Sequence, residues 1–187
     1  RYTRLAQRSK QPERSIYWQK SALMLYRAGR NDELEQFYEN LAEDELISPQ
    51  LRQKNVLLGG IYFDRGKIYQ GLGNLPDLDD IQDPVYKAIA LQIRSRGVLA
   101  IGKPLESAKL RIEISQYLQT DQELRQNEEF IWDAFNRISE QNITNALAQQ
   151  QTAEVRGWLE LNLIARRSNM VPDRLDPWLE KWINLYP

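Results

Sequence analysis

Four carboxylates in one short loop are the residues of this sequence best suited to hold a metal ion. They are Asp77, Asp79, Asp80 and Asp83. An EF-hand calcium loop that began at Asp77 would need glycine at its sixth position and glutamate at its twelfth. The sequence has Gln82 and Ala88 at those positions, so it lacks this motif. We instead expect the acids to lie in a turn, with Asp83 as the N-cap of a helix that begins at Pro84.

The chain contains neither histidine nor cysteine. Zinc sites built on these residues, thiol nucleophiles, imidazole bases and serine–histidine–aspartate triads are therefore excluded. We predict that the chain is not an enzyme, and no cofactor is expected.

Three residues near the middle of the chain are candidates for binding. Tyr62, Arg65 and Tyr69 follow one another at the end of a predicted glycine-bearing helix. They could line an inner groove whose rings and positive charge would bind a glycan or an acidic peptide. Core packing and ordinary surface positions are the alternative explanations for all three.

The composition indicates a folded, helical protein. Of 187 residues, 42% are hydrophobic and only 9 are Gly and 8 are Pro, which together with abundant Leu, Gln, Glu and Arg favours helix over strand. The formal net charge of −1 argues against a nucleic-acid partner, because such proteins carry a basic footprint. The chain opens with Arg1 rather than Met, so we expect any targeting signal to lie upstream.

The clearest periodicity is in the last thirty or so residues, where a helical hairpin is predicted. Trp158 and Leu159 belong to the apolar stripe of its first helix, and the second helix begins near Pro172 or Pro177. We expect Trp158 and Trp182 to pack between these two helices, so that replacing either with Ala costs roughly 3 to 5 kcal/mol.

Other local signals predict helix ends and contacts. Asn31 is expected to cap a helix, and Thr120 with Glu123 fits a capping box. Gly59 and Gly60 lie inside a predicted helix, where we expect them to let a neighbouring helix approach closely.

The spacing of aromatic and small residues is typical of a tetratricopeptide repeat of about 34 residues. The residues that fit its register are Trp18, Ala22, Gly29, Tyr38 and Leu41. The predicted fold class is therefore all-α, with tetratricopeptide-like antiparallel helical hairpins stacked in a superhelical array. We expect residues 1–187 to form a single elongated domain, with any soft boundary in the loop 73–83.

Three segments, taken in order, resemble one protein family. The first contains Ile16, Tyr17, Trp18 and Gln19 with the Gly29 turn behind them, the second runs from Asn127 to Phe135, and the third runs from Gly157, Trp158 and Leu159 through Trp182 to Tyr186 and Pro187. They are similar to the amino-terminal domain of the LpoA family, the outer-membrane lipoprotein activators of class A penicillin-binding proteins. The resemblance covers nearly the whole chain, although residues 46–83 add only general helical character.

This resemblance implies a tetratricopeptide-like domain tethered to the outer membrane through a lipidated cysteine upstream. A second domain, similar to periplasmic solute-binding proteins, would follow and make the main contact with a class A penicillin-binding protein. The chain would then be a non-enzymatic scaffold or spacer of a periplasmic lipoprotein that regulates peptidoglycan synthesis. Peptidoglycan itself is a further partner that the resemblance leaves open.

Two alternatives stay open. A cytoplasmic tetratricopeptide adaptor would hold a peptide or protein partner in its concave groove. Some murein lytic transglycosylases also carry superhelical domains and use a single glutamate as acid and base, although no carboxylate here lies in a recognisable catalytic setting. An upstream lipid-accepting cysteine in the gene would favour the lipoprotein over the adaptor.

Overall fold

The computed structural model describes residues 4, 13–41, 48–149, 151–168 and 175–185. Within these ranges it consists of helices, turns and two short 3₁₀ segments, without a strand. The α-helices whose bounds fall within the described ranges are α1 Glu13–Arg27, α2 Asn31–Glu39, α3 Ser48–Asp64, α4 Ile68–Asn74, α5 Pro84–Ala100, α6 Pro104–Ile114, α7 Asp121–Asn136, α8 Glu140–Leu147, α9 Ala153–Ser168 and α10 Leu175–Leu185. The prediction of an all-α chain is confirmed. No helix in the described ranges has the length and hydrophobicity needed to cross a bilayer.

One type of tight turn recurs along the chain. It is built on Gly29, Gly66 and Gly102, whose φ angles are 66°, 77° and 82°, a left-handed conformation that other residues rarely adopt. In the first turn, the N–H of Gly29 donates to the carbonyl of Tyr26, and the N–H of Arg30 donates to the carbonyl of Leu25. The other two turns have the same hydrogen bonds at the equivalent positions. This Schellman arrangement ends α1, α3 and α5 in the same way, so the repeat is visible in the turns.

The chain divides into two compact units, residues 1–97 and 98–187, and the division falls within α5. That residues 1–187 behave as a single domain, with a soft boundary in the loop 73–83, stays a prediction.

In the first unit, α1 packs against α2 and α3, and α3 packs against α2 and α4. The fully buried members of its core include Leu34, Val56, Leu57, Ile61 and Ala90. Two residues that fit the repeat register belong to this core. Tyr38 is buried, and Trp18 packs against the same cluster.

The crossing of α3 and α4 depends on glycine. A Cβ atom on Gly59 would lie 2.9 Å from the carbonyl oxygen of Gly71, and one on Gly71 would lie 2.8 Å from that of Gly59. A Cβ on Gly60 would meet the hydroxyl of Tyr26 at 2.4 Å. The expectation that Gly59 and Gly60 permit close approach is therefore confirmed, for a helix in the first case and for a tyrosine side chain in the second.

In the second unit, α9 is the central helix, since it packs against α6, α7, α8 and α10. The core around it includes the fully buried Ala108, Phe135, Ile143 and Leu159.

The helix ends agree with the predicted capping box and differ from the predicted Asn31 cap. Thr120 and Glu123 form the predicted capping box at the start of α7. Asn31 was expected to be an N-cap, but this prediction is wrong: it is the first residue of α2, and Arg30 occupies the cap position without a side-chain hydrogen bond. The reason is the Gly29 turn, which brings the chain into the next helix one residue earlier than the side-chain signal suggests.

Candidate functional site

The predicted binding residues lie around the turn that joins α3 to α4. Tyr62 is in the last turn of α3, Arg65 follows its end, and Tyr69 is in α4. The side chain of Tyr69 is 78% exposed, whereas that of Tyr62 is half-buried.

Arg65 is held by two carboxylates of α2. Its Nη1 donates to Oε1 of Glu35 at 2.8 Å, and its Nη2 donates to Oδ1 of Asp32 at 2.6 Å. The hydrogen bond to Glu35 is the main cause that raises the pKa of Arg65 above its ordinary value. Because the guanidinium is shared between two acids, it connects the α3–α4 turn to α2.

Tyr62 and Arg65 have separate partners. The Nζ of Lys67 lies 5.8 Å from the ring centroid of Tyr62, which is within the range of a cation–π contact. Among the described residues, neither a hydrogen bond nor a ring contact joins Tyr69 to Tyr62 or Arg65. Use of these residues to bind a partner stays a prediction.

The aspartate loop has identifiable structural partners. Oδ1 of Asp83 accepts from the N–H of Val85 at 2.9 Å, so the predicted cap of α5 is confirmed. Asp80 forms an ion pair with Arg52 at 3.9 Å. Over the part of the chain that the structure describes, no three acidic side chains come together as a metal site.

A groove in the second unit is a site that the sequence did not reveal. It runs between α9 and α10 and encloses about 480 Å³. Its apolar residues are Leu163, Ile164, Trp182 and Leu185, and its charged residues are Arg156, Glu160, Arg167 and Lys181. We call it the α9–α10 groove. Its volume lies in the range of roughly 300 to 1,000 Å³ that is typical of ligand sites.

Trp182 links the two helices. Its indole Nε1 donates to the carbonyl oxygen of Gly157 at 2.7 Å, which joins α10 to α9 and leaves the ring half-buried in the groove. The prediction that Trp182 packs between these helices is confirmed. Trp158 was expected to lie there too, but it stacks on Phe135 of α7, with centroids 6.5 Å apart and planes at 15°.

The charged groups of the groove are mostly paired. Arg156 pairs with Glu160 at 3.0 Å, one turn further along α9. Arg167 pairs with Glu140 of α8 at 3.3 Å. These side chains are all at least a quarter exposed, and ion pairs at such positions contribute little to stability. They can therefore exchange partners at small cost.

One sequence signal pointed towards the groove. Arg156, Glu160, Leu163 and Arg167 follow one another at helical spacing, and a mixed apolar and charged stripe of this kind can line an interface. The sequence alone could not locate the groove, because the position of α10 relative to these residues depends on tertiary packing.

A family model described as LppC putative lipoprotein matches residues 1–187. Penicillin-binding protein activator LpoA of Photobacterium profundum is 20% identical over 176 residues, which are 92% of this chain and 28% of that protein. The chain thus spans less than a third of the length of this curated relative.

Solved structures share the fold. The amino-terminal domain of Escherichia coli LpoA matches with a TM-score of 0.80 at 19% identity, over 100% of this chain and 82% of that one. Full-length LpoA of Haemophilus influenzae matches with a TM-score of 0.79 at 21% identity, over 100% of this chain and 34% of that one. At 19% and 21% sequence identity, these structures show a shared fold. They confirm the predicted fold class.

Proposed function

This chain belongs to the LppC putative lipoprotein family, and from that premise we propose that it is a non-enzymatic scaffold and spacer domain of a periplasmic, outer-membrane-anchored lipoprotein. The protein that contains it would regulate peptidoglycan synthesis by activating a penicillin-binding protein. The observation that carries this proposal is that the family model covers every residue of the chain. The resemblance to the LpoA family expected from the sequence is confirmed.

The fold comparison supports the assignment to an amino-terminal domain. The whole chain superposes on a structure described as the amino-terminal domain of Escherichia coli LpoA and covers 82% of it. Only 34% of full-length Haemophilus influenzae LpoA is covered. We therefore propose that the contact with a class A penicillin-binding protein is made mainly by a domain that follows this one, and that the lipid anchor lies upstream.

The pKa shifts in the described part of the chain come from burial and from ion pairing within the fold, as is expected for a scaffold. Burial raises the pKa of Tyr26 to about 12, and burial also raises the pKa of Tyr38 and of Tyr86. The shift at Arg65 comes first from its hydrogen bond to Glu35. Catalytic acids and bases are instead poised near the working pH.

The cytoplasmic adaptor weighed above is not favoured, because family and fold comparisons lead to lipoproteins and penicillin-binding protein activators. Direct contact of this domain with peptidoglycan stays a prediction.

An assay of glycan-chain synthesis tests the proposal. A class A penicillin-binding protein is given lipid-linked precursor with this chain, with the full-length protein that contains it, or with neither. We expect stimulation by the full-length protein and none by this chain alone. Incubating the chain with purified peptidoglycan should release no soluble fragments. Equal stimulation by the chain and the full-length protein would contradict the spacer function and place the activating surface within these residues.

A further inference from the structure

The α9–α10 groove exposes apolar surface beside a fixed aromatic ring. Leu185, in the groove, is 55% exposed, and its neighbour Ile183 is 59% exposed. The Trp182 ring is half-buried in the groove, and its N–H donates to the carbonyl oxygen of Gly157. The hairpin thus presents an exposed apolar strip beside a ring that is bonded to α9.

The groove has the geometry that receives a helix. Its apolar side chains come from two neighbouring helices, with Leu163 and Ile164 on α9 and Trp182 and Leu185 three residues apart on α10. A ridge of side chains spaced three and four residues apart on another helix fits between two such rows. The charged positions on α9 run from Arg156 to Arg167, about 16 Å of helix at 1.5 Å per residue, which is enough for three turns of a bound helix.

The charges that line the groove indicate which residues would flank the apolar ridge of a bound helix. Of the described side chains that line it, Arg156, Arg167 and Lys181 are basic and Glu160 is acidic. When Glu140, which pairs with Arg167 from outside the groove, is counted as well, basic groups still outnumber acidic ones among these described side chains. Lys181 is exposed and pairs with no carboxylate among the described side chains. An incoming carboxylate would thus find one cation available and two that can exchange partners.

We propose that the α9–α10 groove is a docking site for an amphipathic α-helical segment of a protein partner, with an apolar ridge flanked by Glu or Asp. The apolar ridge packs on Ile164, Trp182 and Leu185. The acidic flank pairs with Lys181 and the two arginines.

The test uses the full chain and a synthetic helical peptide of about three to four turns, with Leu at positions i, i+3, i+4 and i+7 and Glu beside them. A second peptide replaces every Glu with Lys, and a third is a scrambled sequence of the same composition as the first. Titration is followed calorimetrically and by the indole N–H signal of Trp182 in NMR spectra, which the variant Trp182→Phe identifies. We expect saturable binding of the acidic amphipathic peptide that weakens as salt screens the charges.

Two variants locate the site. Lys181→Glu should weaken binding about fivefold or more, since it replaces an attraction with a repulsion. Leu185→Ser should weaken it about tenfold by removing apolar contact. Both residues are exposed, so folding should be retained, and circular dichroism checks this. Lys109→Glu in α6 and Met24→Ser in α1, exposed positions that do not line the groove, are the matched controls and should bind normally.

Several results would overturn the proposal. These are equal binding of the acidic, basic and scrambled peptides, an unmoved Trp182 signal, or unchanged affinity in Lys181→Glu and Leu185→Ser. Saturable binding of chitotetraose with no peptide binding would assign the groove to a glycan. Self-association of the chain in sedimentation experiments, lost in Leu185→Ser, would assign it to a second copy. None of these results depends on whether a penicillin-binding protein is activated.

Discussion

The α3–α4 crossing and the α9–α10 hairpin pair two neighbouring helices in opposite ways. At the crossing, Gly59 and Gly71 bring the two backbones into direct contact. In the hairpin, the Trp182 side chain stands between the helices and bonds to the backbone of Gly157. The first arrangement leaves no space for another molecule, whereas the second leaves a groove of about 480 Å³.

The difference shows how the size of the side chain between two helices decides whether they pack tightly or leave a groove that could bind a partner. Where glycine permits backbone contact, there is no space for an added methyl group, so this region contributes to stability through close packing. Where a large aromatic spaces the helices, the core side of α9 supplies stability and the groove side remains available. Four experiments test this division.

The largest effect is expected from Trp158→Ala on the core side of α9. The ring stacks on the fully buried Phe135, so its removal should lower the free energy of unfolding by about 3 kcal/mol. This is the lower end of the range for such truncations, because Trp158 is half-buried. Urea denaturation measures it, and Ile183→Ala, at a position 59% exposed, should change stability by less than about 0.5 kcal/mol. Similar losses in the two variants would mean that the stacked Trp158 ring contributes no more to stability than an exposed side chain of α10.

At the crossing, Gly71→Ala should destabilise the chain by about 1 to 3 kcal/mol. Its new Cβ would lie 2.8 Å from the Gly59 carbonyl oxygen and 3.1 Å from the Phe63 nitrogen, and both are backbone atoms that cannot turn aside. Gly73→Ala in the same helix is the matched control, because nothing lies within 4 Å of its Cβ. Alanine there should be neutral or stabilising by up to about 1 kcal/mol. A neutral Gly71→Ala would show that α4 can move away from α3 freely.

The sequence predicted those features that local residues determine. The all-α class, the Thr120 capping box and the Asp83 cap depend on nearby side chains, and glycine inside α3 indicated a close contact. The partner of Gly59 could not be predicted, because its contact with Gly71 depends on how α4 packs against α3. The α9–α10 groove was missed for a similar reason: which side chains of α9 lie beside α10 depends on tertiary packing, including the hydrogen bond from Trp182 to Gly157.

That hydrogen bond is tested by Trp182→Phe. Phenylalanine keeps most of the ring but cannot donate to Gly157, so we expect a loss of about 1 kcal/mol in the free energy of unfolding. The groove should become less well defined, which broader NMR signals from Leu163 and Leu185 would report. Unchanged stability and sharp signals would indicate that ring volume, rather than the hydrogen bond, sets the spacing of α9 and α10.

The smallest effects on stability are expected when ion pairs near the α3–α4 crossing and the α9–α10 hairpin are removed. Arg65 connects the α3–α4 turn to Glu35 and Asp32 of α2, whereas Arg156 pairs with Glu160 within a single helix. Double-mutant cycles with Gln should give a coupling of about 0.3 to 0.5 kcal/mol for Arg156 with Glu160. The coupling of Arg65 with Glu35 should be larger, since that pair joins separate elements and shares its cation with Asp32. Both should shrink in 1 M salt, where the Debye length is about 3 Å. A larger coupling for Arg156 would mean that the groove's arginine is committed to α9 and is not available to an acidic partner.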